Sequence, residues 1–198
     1  MSLTDMQIRD LAVRMDVPLV FCGFKSELAE EKLRYNKAYI INMEDEFDEK
    51  GERNSGSHYT CFQVNKYPNG KTEGVYFDSF GQPPPLAVES FAGKLPYCDK
   101  DIQSLMNSAC GWYCLAFLHF INASPHRSCH LYTDAGAFTD MFDDLSKSCD
   151  HLKNEYILKH FFRSNDPEHR RTHPVDLKGV GVDPNSISGE NSDKKTSC

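Results

Sequence analysis

The sequence predicts an α+β fold in which a central buried helix packs on a small, mostly antiparallel sheet. Three observations carry that expectation. The stretch CGWYCLAFLHFIN at 110–122 is apolar nearly all round, as a helix enclosed on every side must be. Two strand-like runs, 58–67 and 74–80, flank the strong turn Pro68-Asn69-Gly70 and read as a hairpin. Ahead of them AYIINM, at 38–43, is β-branched and aromatic and reads as a buried strand.

In chain order, a first helix is expected over 5–15, where Thr4 and Gln7 have capping-box spacing and Met6, Ile8, Leu11, Ala12 and Met15 supply an apolar stripe. A short buried-looking run, 19–24, follows Pro18. A second short helix fits 27–35, with Ser26 as cap and Leu28 and Leu33 inward. The acidic segment 44–57 reads as a loop leading into the strand 58–67, where Tyr59, Cys61 and Gln63 alternate with Thr60, Phe62 and Val64. Pro83, Pro84 and Pro85 break the sheet and start a short helix ending near Phe91. Beyond the central helix, amphipathic helices are expected at 139–147, with Met141, Phe142 and Leu145 inward, and at 151–162. The chain then turns polar, so residues 1–163 are taken as the folded domain and 164–198 as a partly disordered tail.

Size and charge exclude several function classes. A chain of 198 residues suits one domain with spare length and can bury a core without staples. Hydrophobic content of 39% excludes wholesale disorder, while a mean hydropathy of -0.56 implies that part of the chain contributes no core. The opening MSLTDMQIRD has no apolar signal region, and the densest apolar stretch, 112–121, is too short to span a bilayer. A soluble, intracellular protein without a membrane partner is therefore expected. A net charge of -7 argues against nucleic acid as a partner. The eight cysteines include no CxxC pair and, without a secretion signal, are expected as reduced thiols.

Four residues could carry chemistry. Cys110 stands where a polar loop meets the central helix, so the helix dipole favours its thiolate and its N–H is free for an oxyanion. Gly111 beside it would let a substrate backbone approach. His58 opens the first hairpin strand and Asp78 ends the second, which can place the carboxylate at the Nδ1 side of the imidazole and leave Nε2 for a thiol. Gln103, in the loop before Cys110, offers an amide donor to an oxyanion. Each alone is more often ordinary: a core cysteine, a strand-end histidine, a turn aspartate, an exposed glutamine. The rival cluster Cys110, Cys114, His119, His126, Cys129 and His130 matches no common zinc frame, so no metal is expected.

Taken in order, these residues resemble the adenovirus-type cysteine endopeptidases, the adenain-like family with its virophage and transposon relatives. The resemblance spans about 36–122 and rests on GSH at 56–58, YFDSFGQPPP at 76–85 and IQSLMNSACGWYC at 102–114. SUMO-specific proteases of the same clan share the order His, Asp, Gln, Cys. The resemblance implies a papain-like cysteine protease fold, with Cys110 as nucleophile, His58 as base, Asp78 as orienting carboxylate and Gln103 as oxyanion donor. It further implies a thiol protease that cuts viral capsid or other precursor proteins near glycines during particle maturation. Such an enzyme would work as a monomer in the host cell and be packaged in the virion. A ubiquitin-like-modifier protease and a non-enzymatic structural or zinc-binding module are the alternatives. Tyr59 stands where many relatives have Trp, and the acidic balance argues against the DNA cofactor that stimulates adenain. No cofactor is expected to be required.

The tail carries one more resemblance. Leu177-Lys178-Gly179-Val180-Gly181 is similar to the adenain-type recognition pattern, which makes Val180 and Gly181 a candidate self-cleavage site. The released GVDPNSISGENSDKKTSC would begin Gly-Val and end in Cys198, like the capsid-derived peptide that activates adenain. Short Gly-x-Gly matches are also common in polar tails of no such function.

Overall fold

The computed structural model describes residues 2–123, 130–147, 150–166 and 168. Helix α1 (Asp5–Arg14) begins at the expected capping box: Gln7 N–H donates to the Thr4 hydroxyl at 3.3 Å, and Thr4 N–H donates to the Gln7 side chain at 2.9 Å. Ile8, Leu11 and Ala12 form its buried face. Met6 was expected there too, but it is 74% exposed, because a residue two places before Ile8 projects from the opposite side.

Strands β1 (Leu19–Phe24), β2 (Lys37–Asn42), β3 (Tyr59–Lys66) and β4 (Thr72–Phe77) form one sheet in the order β1-β2-β3-β4. The first pair is parallel and the other two are antiparallel. The β3–β4 turn closes through Gly70 at φ +83°, a left-handed position that glycine adopts without strain.

The sheet is covered on both faces, and the alternation of each strand divides the core into two. Ala38, Ile40, Tyr59, Cys61, Val75 and Phe77 face α1, α3 (Cys110–Ala123), α4 (Leu131–Thr139) and α5 (His151–Asn165). There Phe77 stacks on Phe117 with ring centres 4.4 Å apart, and Phe138 meets both edge-on. Tyr39, Ile41, Phe62 and Tyr76 face the other way, onto Leu28 of a 3-10 helix (Lys25–Glu30) and Val88 of α2 (Leu86–Ala92). Each large side chain buried this way stabilises the fold by about 1.5–3 kcal/mol. The result is a three-layer mixed α+β architecture, and among the described residues no helix is long and apolar enough to cross a membrane.

Three elements depart from expectation. The helix expected at 27–35 is a short 3-10 helix ending at Glu30, without a Ser26 cap. The Tyr39 hydroxyl accepts from Arg34 N–H at 2.7 Å and donates to Lys32 O at 3.3 Å, which pins the following segment in extended form. The helix expected at 139–147 lies earlier, as α4, where Leu131, Ala135 and Phe138 turn inward at i, i+4, i+7. Beyond Thr139, Asp143 N–H is captured by the Asn154 side chain at 2.8 Å, so the chain leaves the helical path. At the far end α5 continues through Asn165, past the boundary drawn at 163, and the fully buried Asp166 meets Arg14 at 3.2 Å. Val180, Gly181 and the rest of the expected tail peptide lie outside the described residues.

Candidate active site

The hairpin register assembles the first half of the site. Cys61 pairs with Phe77, and continuing that antiparallel register sets His58 opposite Phe80, with Asp78 diagonal to it. His58 Nε2 then lies 2.9 Å from the Oδ1 of Asp78, whose side chain is 2% exposed. The same oxygen accepts the Phe80 N–H at 2.8 Å, which fixes the carboxylate. The sequence reading had the nitrogens the other way round. Asp78 takes Nε2, leaving Nδ1 as the nitrogen for a thiol, because the carboxylate reaches His58 from the far strand of the hairpin.

Helix α3 supplies the second half. It packs on β3, where the Cys114 thiol donates to Tyr59 O at 3.4 Å and the Cys61 thiol to Cys114 O at 3.8 Å. This seats Cys110, the first residue of the helix, where its thiol and the His58 ring influence each other's ionisation. Burial opposes ionisation of Cys110, but His58, Tyr59 N–H and Gly111 N–H all reach the sulfur and together hold its pKa below the ordinary thiol value. Burial likewise disfavours charge on His58, yet its bonds to Asp78 and Cys110 prevail and raise its pKa to about 9. Both shifts favour the thiolate and imidazolium form of the pair. Gly111 does not leave room for a substrate as expected: a Cβ there would lie 3.3 Å from Ile8 and 3.5 Å from Leu3, so the glycine admits the N-terminal segment instead.

Gln103 is tied to both halves. Its side chain is buried, and Ile102 N–H and Gln103 N–H both donate to Ser79 O, at 2.9 and 3.1 Å. The Ser79 hydroxyl donates to Gln103 Oε1 at 2.7 Å, and Gln103 Nε2 donates to Asn107 O at 3.0 Å. Asn107 in turn accepts the N–H of Ala109, immediately before Cys110, at 3.3 Å. All four residues singled out by sequence thus belong to one connected constellation.

Sequence reasoning missed two members. Phe80 lies against the imidazole with ring centres 4.7 Å apart, and extending the hairpin register by hand would have placed it there. Tyr59 offers its backbone N–H to Cys110 while its hydroxyl donates to Asp5, tying α1 to the site; no side-chain pattern signals a backbone donor. A cleft of about 420 Å³ is lined among others by Leu3, Phe24, Asn42, Arg53, Ser57 and Tyr59, while His58, Asp78, Gln103 and Cys110 are not among its lining residues.

The rival metal cluster lies only partly within the described residues. Cys114 is fully buried, the ring Nδ1 of His119 meets Met15 O at 2.7 Å, and that of His130 meets Glu73 at 2.9 Å. His126 and Cys129 lie outside the described residues, and among those described no three His, Cys, Asp or Glu side chains converge on a metal position.

A paired thiolate and imidazolium, a helix-start N–H and a buried amide are the parts that acyl transfer needs. No family model matches the chain, and no curated protein matches it.

Proposed function

We propose that the protein is a cysteine endopeptidase of papain-like, adenain-type architecture. The observation that carries this reading is the His58 ring, held by Asp78 on Nε2 and coupled to the ionisation of the Cys110 thiol at a helix start. The Cys110 thiolate attacks a peptide carbonyl carbon, and the displaced electron pair collects on oxygen, facing the Cys110 N–H and the Gln103 amide. The C–N bond breaks as imidazolium Nδ1–H protonates the leaving amine, giving a thioester on Cys110. Neutral His58 then takes a proton from water, hydroxide attacks the thioester, and the acid leaves as thiolate is restored. No metal or cofactor is required by these steps.

By the family resemblance, the substrates are viral structural precursors cut beside glycine, with self-cleavage between Val180 and Gly181 as part of the same activity. Incubation with capsid precursors and a glycine-rich peptide library, beside Cys110→Ala and followed by mass spectrometry, tests this. Cleavage by the wild type alone supports the reading. Cleavage restricted to ubiquitin-like fusions would instead favour a modifier protease, and equal products from both proteins would sink the assignment.

A further inference from the structure

We propose that Ser79 is the positioning residue for the oxyanion amide, a role that rests on the peptidase reading above. The primary amide of Gln103 has one oxygen acceptor and two N–H donors, and only a donor aimed at the reacting carbonyl is useful. Asn107 O can only accept, so it draws Nε2 toward itself at 3.0 Å and turns Oε1 the other way. At that side stands the Ser79 hydroxyl, fully buried and 2.7 Å from Oε1. With Oε1 satisfied and one N–H on Asn107, the second N–H remains for the oxyanion.

Removing the hydroxyl would strand the buried Oε1 without its donor unless the side chain swings out to be hydrated. Swinging out takes the donor with it. The position has a second consequence. Ser79 directly follows Asp78, and its own carbonyl receives Ile102 N–H and Gln103 N–H. One short backbone segment therefore sets the orientation of the base through Asp78 and of the oxyanion donor through Ser79. Gly81 keeps that segment close: a Cβ there would come within 2.5 Å of Asp99 O, in the strand of chain that leads to Gln103.

The test is a double-mutant cycle of Ser79→Ala and Gln103→Ala, read by kcat, KM and the alkylation rate of Cys110. Ser79→Ala is expected to lower kcat about ten- to a hundredfold, with KM and alkylation little changed, since neither needs the oxyanion donor. In the Gln103→Ala background the same change should cost almost nothing further. Unchanged kcat in the single variant, or an equal loss in both backgrounds, overturns the role while leaving the peptidase intact. A slower alkylation in Ser79→Ala would overturn it too, by showing damage to the thiolate itself. A wild type that cleaves no peptide at all overturns the peptidase reading, and this role with it.

Discussion

Cys110 and Cys114 occupy successive turns of one helix, both nearly closed to solvent at 5% and 0% exposure, yet their thiols are driven in opposite directions. Burial raises the pKa of each. For Cys114 nothing opposes it: neighbouring Cys61 adds to the effect, and the pKa lies well above the ordinary thiol value. For Cys110 the donors win. Tyr59 makes the contrast most plainly, because its N–H points to the Cys110 sulfur and its carbonyl receives the Cys114 thiol. A carbonyl can only accept, so Cys114 must keep its proton. Reactivity here depends on which end of a peptide group a sulfur meets, and depth alone decides nothing.

The largest effect that could break this comparison is on turnover. Cys110→Ala is expected to lower kcat by about 10⁴-fold or more, while Cys114→Ala should retain activity within roughly a few-fold of wild type. Peptide hydrolysis by both variants at matched folded concentration checks this, and equal losses would erase the distinction.

Next come the residues that favour the thiolate. His58→Ala should nearly abolish turnover, and Asp78→Asn should lower kcat by about a hundredfold. An asparagine at 78 can accept one bond but cannot stabilise imidazolium charge. Asp78→Asn should also move Cys110 alkylation to higher pH, whereas a profile identical to wild type would remove Asp78 from the pair.

The pH dependence sharpens the contrast further. Turnover should fall as pH rises through about 9, where His58 loses its proton, and Cys110 should alkylate below the pH range of ordinary thiols. A folded pKa of about 9 lies above the unfolded value, so His58 stabilises the fold below pH ~6.5 and that contribution is lost as pH rises through about 9. Cys114, and Cys22 at about 12, act in the same direction, because the unfolded chain releases those protons first and gains stability above the ordinary thiol range. Cys110, with its lowered pKa, gains stability as pH rises and offsets part of the His58 loss. Denaturant midpoints should therefore decline clearly only above about pH 9, and a flat profile there would contradict the burial of Cys22 and Cys114. The smallest effect is on packing: Cys114→Ser should cost about 1–3 kcal/mol in stability, since a more polar group enters an apolar layer.

Much of this was legible in advance. The β3–β4 hairpin and the α3 helix follow from local signals, namely a Pro-Asn-Gly turn and a helix apolar on every side, so Asp78, His58 and Cys110 could be brought together on paper. What escaped was set by distant contacts. The ring nitrogen chosen by Asp78, the space beside Gly111 and the position of α4 depend on groups far off in the chain, and Gly136 and Thr139 make α4 a poor helix by propensity alone. Extending the hairpin register three residues past β4 would have found Phe80; nothing local could have found the Leu3 and Ile8 side chains at Gly111.

The parallel pairing of β1 with β2 has a consequence for how the molecule comes into being. Parallel strands need a crossover, yet β1 and β2 pair through a short one, Leu19 with Ala38, and β3 with β4 through a tight turn, whereas α3 reaches β3 across 53 and 55 residues. During folding the four-stranded sheet is expected to form first, with α3 docking on it later and meeting α1 last. Until α1 arrives, Leu3 and Ile8 do not cover Gly111, and a thiolate already activated by His58 stands open to oxidants. Pulsed hydrogen exchange should find Cys22 and Phe62 protected before Cys114 and Leu115, and refolding without a reductant should trap Cys110 in oxidised form. In this protein the chemistry is armed before the structure around it is closed.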